Sequence, residues 1–387
     1  MWPAVRLGDV TTKIRSGATP RGGASGYTNS RIALIRSQNV LDNSMTHEGL
    51  AHISDEAAMK LANASVEKDD VLLNITGDSV ARCCVMEEAF LPARVNQHVS
   101  IIRTESQLDP RFLQRALVNP EMKNHLLTIS SGGTRNALTK SMLENLEVPL
   151  PPLPEQQAIA EVLGALDDKI AASRALVATI GDLMVAEVAD LPLTGALTDL
   201  CNLTKKVTTT DEMPERVWHY SLPAFDEHGL PNHEASTDIK SNKFVVTKPS
   251  VLLSKLNPRF PRVWDIPDPE SGAVASTEFL VLEPNKFSTS VLWSLLAHPR
   301  VSRFLAEHAA GTSGSHQRVK PSEVMELSMP TDLPASLQEE LTSLGLRAES
   351  AKRESATLAA LRDTLLPALM NGTLRVKDAE RTVSEAL

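Results

Sequence analysis

Along two stretches of the chain, apolar residues fall at alternating steps of four and three. The first runs Ile159, Leu163, Leu166, Ile170, Ser173, Val177, Ile180, Met184. The second runs Leu337, Leu341, Leu344, Ala348, Ala351, Ser355, Leu358, Arg362, Leu365, Leu369. This is the 3.5-residue period of a coiled-coil seam, and it predicts two long helices. Pro154 fits the first helical position, where a missing N–H costs nothing, and Glu155 suits the positive end of the dipole. Each helix has only a narrow apolar stripe, so the simplest partner for one is the other. Two domain–helix repeats related by a pseudo-twofold axis would make the pair antiparallel. The alternative is that each helix docks on its own globular domain. From Pro154 to roughly Asp190 the first helix would be about 55 Å long, a spacer between domains.

The segments before each helix read as α+β. Short β-type runs (Ile32–Ile35, Val71–Ile75, Val99–Ile102, Phe244–Val246, Phe279–Leu282) are bounded by Gly, Asn, Asp and Pro. Helical patterns lie between them near Asp55–Ala62, Pro110–Ser130 and Thr289–His308. Signals also recur at a near-constant offset. Val71-Leu72-Leu73-Asn74 matches Val251-Leu252-Leu253-Ser254, and Asn119-Pro120 matches His298-Pro299. Ser131-Gly132-Gly133-Thr134 matches Gly311-Thr312-Ser313-Gly314, and Leu153-Pro154 matches Leu333-Pro334. A repeat of this length is a duplicated domain. The predicted organisation is a first globular domain at 1–150, a long helix at 151–190, a second globular domain at 191–332, a long helix at 333–376, and a frayed tail at 377–387.

Composition removes several classes. The 387 residues suit two or three domains. No apolar run is long enough to span a membrane, and the first residues do not read as a signal peptide. Cys83, Cys84 and Cys201 are expected as buried thiols in a reducing cytosol. The net charge of −9 is uneven: 1–150 carries 16 basic and 16 acidic groups, whereas 151–190 carries 2 and 7. The acidic helix is a poor surface for phosphates, so any nucleic-acid face must be a local patch on a near-neutral domain.

Motifs that would carry chemistry are few. His47-Glu48 and His52 have the wrong spacing for a zinc-protease helix. Asn257-Pro258-Arg259-Phe260 has Arg where an amino-methyltransferase loop has a second Pro, and no Gly-rich cofactor loop precedes it. Gly22–Gly26 is not a dinucleotide loop, and no P-loop is present.

The segment Leu146 to Ile170, with its Pro-Pro-x-x-Glu-Gln lead into the heptads, resembles the central conserved region of specificity subunits of type I restriction–modification enzymes. Trp2, Leu7-Gly8-Asp9, Ser16-Gly17-Ala18-Thr19-Pro20, Lys68 to Leu73 and Asn96-Gln97 fit the same family. So does the run from Leu361 through Asn371-Gly372-Thr373-Leu374. The second half departs most, with Ser276-Thr277 at the Asn96-Gln97 position. The resemblance implies two target-recognition domains reading a bipartite, asymmetric DNA site, with helices that set the spacing. It implies docking of two modification subunits, which methylate adenine with S-adenosylmethionine, and of helicase-nuclease restriction subunits that use ATP and Mg. This chain would be non-catalytic, cytoplasmic and without a cofactor, catalytic residue or metal of its own.

Sequence is read at base edges by Arg, Lys, Asn, Gln, Ser and Thr, while phosphate contacts set register. Candidate readers in the first domain are Arg36, Gln38, Asn39, Arg94, Asn96, Gln97, Thr134 and Arg135. In the second they are Lys255, Asn257, Arg259, Arg262, Gln317, Arg318 and Lys320. Each has a bland alternative as a surface charge or a loop-holding amide. A coiled-coil scaffold without a nucleic-acid role, or a stand-alone methyltransferase or nuclease, are the competing functions.

Overall fold

The computed structural model describes residues 2–19, 27–131, 136–310 and 317–386. It divides into two compact units, Met1–Lys169 with Leu358–Leu387, and Ile170–Thr357. The expected linear boundaries are therefore redrawn. Each unit contains one half of each long helix.

Unit 1 carries strands β1 (Ala4–Arg6), β2 (Thr11–Ser16), β3 (Tyr27–Ile35), β4 (Ala51–Ile53), β5 (Ser65–Val66), β6 (Val71–Asn74), β7 (Cys83–Val85), β8 (Ala93–Val95), β9 (Val99–Thr104) and β10 (Glu147–Pro149). Its helices are α1 (Asp55–Lys60), α2 (Pro110–Val118), α3 (Pro120–Ser130) and α4 (Lys140–Glu144). The long helix α5 (Leu153–Glu187) starts in unit 1 and ends in unit 2. Unit 2 has β11 (Gly195–Ala196), β12 (Cys201–Thr204), β13 (Val207–Thr208), β14 (Arg216–Tyr220), β15 (Asn232–Ala235), β16 (Lys243–Val245), β17 (Ser250–Ser254), β18 (Val263–Ile266), β19 (Ala273–Ser276), β20 (Phe279–Pro284) and β21 (Ser328–Met329). Its helices are α6 (Leu222–Glu227), α7 (Thr289–Ala297), α8 (Pro299–Glu307) and α9 (Pro321–Met325). Helix α10 (Ala335–Met370) returns to unit 1, followed by α11 (Val376–Ala386).

The units share one topology. Unit 1 has sheets ordered β2-β9-β6-β7 and β4-β3-β8-β5, plus the pair β1-β10. Unit 2 has β12-β20-β17-β18 and β15-β14-β19-β16-β13, plus β11-β21. Strand for strand these correspond, with β13 added. The parallel pair β3/β8 has its counterpart in β14/β19.

The Val-Leu-Leu runs are apolar throughout because both faces of their sheets are covered. Leu252 points into a core with Trp264, Phe279 and Tyr220, between the two sheets. Val251 and Leu253 point the other way, onto Val291 and Leu295 of α7. In unit 1, Leu72 and Ile101 join Ile35 and Val95 in the corresponding inter-sheet core.

The pattern read as one helix at Pro110–Ser130 is two helices, and so is Thr289–His308. Proline disfavours helical backbone in the residue before it. Asn119 and His298 accordingly take extended ψ values of 131° and 138°, and Pro120 and Pro299 restart helices at their first position. The tail expected to fray is instead α11, with Val376, Ala379 and Val383 buried. Small apolar residues at helical spacing are a weak signal beside many charges, which is why it was missed.

The helix halves pair antiparallel within each unit. In unit 1, Arg362 Nη1 donates to Asp167 Oδ1 (2.7 Å), and Arg115 donates to the other oxygen of that carboxylate. Arg362, a polar break in the heptads, is thus matched by charge. In unit 2, Ser173 Oγ donates to Glu354 Oε2 at 2.8 Å, while Ile180 and Met184 share a core with Leu341. That core also includes α7, so these segments both pair and dock on the globular part. Ile159, Leu163, Leu166, Ile170, Ile180, Met184, Leu341, Leu358 and Leu365 are buried. Val177, Leu337 and Leu344 are half-buried.

The Glu-Gln motif is explained by burial. Gln156 is fully buried; its Oε1 accepts the Asp109 N–H (2.8 Å), and its Nε2 donates to Gln107 O and Pro151 O. Gln338 Nε2 donates to Leu333 O. The backbone N–H of each glutamine also donates to a carbonyl four residues back, of Pro152 and of Pro334. Pro152, not Pro154, is therefore the counterpart of Pro334. At the other end, Trp2 Nε1 donates to Leu369 O at the close of α10. The Trp2 ring also lies where a Cβ on Gly372 would meet it at 2.9 Å.

Candidate nucleic-acid interface

Loops gather at one end of the sheets of unit 1. The turn Thr76–Ser79 follows β6, Ser37-Gln38 follow β3, and Gln97-His98 join β8 to β9. Thr76, Ser79, Arg82, Gln38, His98 and Asn136 line an open groove of 640 Å³. Backbone bonds fix the frame: Ile75 N to His98 O (2.9 Å), Leu138 N to Ile75 O (2.8 Å), Gly77 N to Asn136 O (3.3 Å), and Asn74 N to Arg82 O (2.9 Å).

Unit 2 builds the same frame from different residues. Lys255 N donates to Glu278 O (3.0 Å), Val319 N to Lys255 O (3.2 Å), Asn257 N to Gln317 O (3.0 Å), and Ser254 N to Arg262 O (2.9 Å). The turn residue has positive φ in both, 78° at Gly77 and 50° at Asn257. Even the small cap recurs: Asn96 Oδ1 accepts the His98 N–H, and Ser276 Oγ accepts the Glu278 N–H. Turn 76–82 thus corresponds in position to turn 256–262, with a different backbone at Ala81 (φ 67°) and Pro261.

This frame sorts the candidate readers. Gln38 and Gln97 are exposed on the face of unit 1. Arg36 is half-buried, donates to Gly49 O, and lies 5.4 Å over the Tyr27 ring. Asn39, expected as a reader, is instead fully buried, with its side-chain amide donating to Thr46 O and Glu48 O. Arg94, also expected as a reader, instead donates its guanidinium to Ala58 O, Ala93 O and Ser65 Oγ and ties α1 and β5 to β8. Burial holds its pKa below the usual value. Asn96 is buried and holds its loop. Thr134, Arg135 and the matching 311–316 stretch lie outside the described residues, as do Gly22–Gly26.

In unit 2, Arg262 makes a two-pronged pair with Asp226 (2.6 and 2.7 Å), which raises its pKa, so it anchors the turn and is not a free reader. Arg318 pairs likewise with Glu278 (2.9 and 2.8 Å) while remaining half exposed. Lys320 pairs with Glu323 at 3.3 Å. Lys255 and Gln317 are half-buried at the frame, and Asn257 carries the turn. Arg259 is exposed and pairs with no carboxylate among the described residues.

Sequence reasoning missed Thr76, Ser79, Arg82 and His98. The signal was available in the repeat: Arg82 stands 180 residues before Arg262. Other chemistry is sparse. Among the described residues no cluster of three or more His, Cys, Asp or Glu could hold a metal. Cys83, Cys84 and Cys201 are buried free thiols, and burial raises Cys201 to about 12. No described helix is long and apolar enough to cross a membrane.

The fold and the two loop faces define a class of protein, an α+β domain built twice on one plan and joined by paired heptad helices. Residues 1–180 match the family described as the type I restriction modification DNA specificity domain. The chain is 31% identical over 148 residues to the EcoBI specificity subunit of Escherichia coli, a match taking in 36% of this chain and 30% of that relative. It is 21% identical over 175 residues to the EcoKI specificity subunit of Escherichia coli strain K12, taking in 45% and 38%. The matched stretches thus span about a third of these relatives' length. A type I restriction–modification S subunit from M. genitalium has the same fold, with a TM-score of 0.61 at 15% identity over 96% of both chains. Over residues 1–180, a little under half of the chain, the resemblance is to type I restriction–modification DNA specificity domains.

Proposed function

We propose that this chain is the DNA-recognition subunit of a type I restriction–modification complex, with each unit reading one half of a bipartite, asymmetric site. The observation that carries this is the loop frame built twice with the same backbone bonds but different exposed side chains. Gln38, Gln97, His98 and Arg82 would face one half-site. Lys255, Arg259, Gln317 and Arg318 would face the other. Unequal side chains on equal frames are what reading two different sequences requires.

In this reading the long helices fix the unread gap and dock two modification subunits, which carry S-adenosylmethionine and methylate adenine. Restriction subunits bring ATP and Mg. The chain itself performs no bond chemistry and works in the cytoplasm. Helix α5 has 35 residues, a length of about 52 Å at 1.5 Å per residue. With a phosphate charge every 3.4 Å along each strand of duplex, that is an upper bound of about 15 base pairs.

Co-expression with a modification subunit, followed by mapping of methylated adenines, tests the proposal. A split motif with an unread gap is expected. Absence of any motif, or methylation by the chain alone, would contradict it. Adding one heptad to both helices should alter the gap; an unchanged motif would remove the spacer role.

A further inference from the structure

Two corresponding turns differ in which way one apolar side chain faces. Val80 and Phe260 stand at the same place: the Val80 N–H donates to Gly77 O (3.2 Å) and the Phe260 N–H to Asn257 O (2.9 Å). Val80 is 4% exposed, whereas Phe260 is 67% exposed. Beside this position the turns part: Ala81 has φ 67° and donates its N–H to Asn74 O, neither of which Pro261 can do, so unit 2 does not repeat the backbone that buries Val80 and presents a ring to solvent.

The turn holding Phe260 is stiff. Pro258 is buried and Pro261 follows directly, restricting Phe260 to extended backbone. Arg262 is locked on Asp226 and reaches back with Nη1 to Phe260 O at 3.4 Å. The ring thus stands on an anchored tip. Its immediate neighbour Arg259 is an exposed cation, and Lys255 lies at the same frame, beside Arg318 held on Glu278. A rigid apolar ring beside the exposed cation Arg259 suits a polyanion whose interior is apolar and stacked. Apolar side chains that enter duplex DNA act as wedges between base steps, while neighbouring cations hold phosphates.

We infer that Phe260 is a wedge that enters a base step in the half-site read by unit 2, unstacking it and fixing the register of that half. Unit 1 has no wedge at this place, because Val80 is turned into the core. The two halves of the site are then read by different means. Unit 2 takes part of its specificity from how easily one step unstacks, which favours flexible pyrimidine–purine steps. This rests on the DNA-recognition reading above.

The test uses the full chain with its modification subunit and a duplex carrying the mapped motif. 2-Aminopurine is placed in turn at each step of the half assigned to unit 2. Wild type should raise the fluorescence at one step, and Phe260→Ala should abolish that rise. Loss of one buried aromatic side chain should weaken binding roughly 10- to 100-fold. Phe260→Leu should keep most of the affinity, since leucine also serves as a wedge. Equal binding and fluorescence with Phe260→Ala would overturn the wedge while leaving DNA recognition standing. Weakened binding with no fluorescence change at any step, but sensitivity to thymine-to-uracil exchange, would overturn it in favour of a methyl contact. Failure of the wild-type complex to prefer the motif duplex would overturn the recognition reading itself.

Discussion

Replacing Gln156 by leucine should destabilise unit 1 far more than the twin change Gln338→Leu destabilises unit 2. Gln156 is fully buried and makes three side-chain hydrogen bonds, to Asp109 N, Gln107 O and Pro151 O. Leucine fills similar space but leaves one amide and two carbonyls without partners. Each buried orphan costs about 1–3 kcal/mol, and the three share one site, so about 3–4 kcal/mol is expected in total. Gln338 is half-buried and makes one side-chain bond, to Leu333 O at 2.8 Å. Its loss should cost about 1 kcal/mol, because water can reach the freed carbonyl. Hydrogen–deuterium exchange across a urea series separates the units. Peptides spanning 105–118 should lose protection at lower urea in Gln156→Leu, and peptides of unit 2 should shift little in Gln338→Leu. Equal shifts for both variants would refute the assignment of Gln156 as the buried pin.

Other outcomes follow from the same packing. Asp167→Ala leaves Arg115 and Arg362 without their shared carboxylate and should cost about 2–3 kcal/mol, less than for a fully buried pair because these groups keep partial solvent access. Adding Arg362→Leu should recover part of that loss in chemical unfolding; full additivity would argue against coupling. Gly345→Ala should destabilise, since its Cβ would lie 2.1 Å from Ser290 Oγ and 2.3 Å from Ser290 Cβ. Gly164→Ala, with nothing within 4 Å, should stabilise by about 0.5–1 kcal/mol; melting curves of equal midpoint for the two variants would contradict this. Burial raises the Asp265 pKa, opposed by hydrogen bonds from Thr289 and Ser290 and by Lys352. An acid raised on folding binds more protons in the native state, so its contribution falls as pH rises from the unfolded value through the folded one. The stability of Asp265→Asn relative to wild type should therefore increase between pH 4 and 7, and a flat difference would sink the assignment.

What the chain discloses by itself depends on whether a residue's partner is local. The heptads of α5 and α10 are legible because a narrow seam repeats on its own helix, and the matched Arg362–Asp167 pair shows why one seam position could be charged. The Val-Leu-Leu runs are legible because strands covered on both faces are apolar throughout. Sheet order is not legible, because β9 pairs with β6 and with β2 through contacts far apart in sequence. The same limit governs the loop face. Asn39, Arg94 and Arg262 have the side chains of base readers, yet backbone carbonyls or Asp226 consume them. Arg82 and His98 were passed over because no local pattern marks them, and only the repeated frame brings them beside Gln38.

The claim that the two units read separate halves of one site is tested most directly by mapping methylated motifs for two variants co-expressed with the modification subunit. Gln38→Ala alters an exposed residue of the unit 1 face, and Arg259→Ala alters one of the unit 2 face. Each lost base contact is worth about 1–3 kcal/mol of discrimination. Gln38→Ala should relax positions in one half of the motif only, and Arg259→Ala positions in the other half only. Relaxation of the same half by both variants, or an unchanged motif in each, would contradict the account.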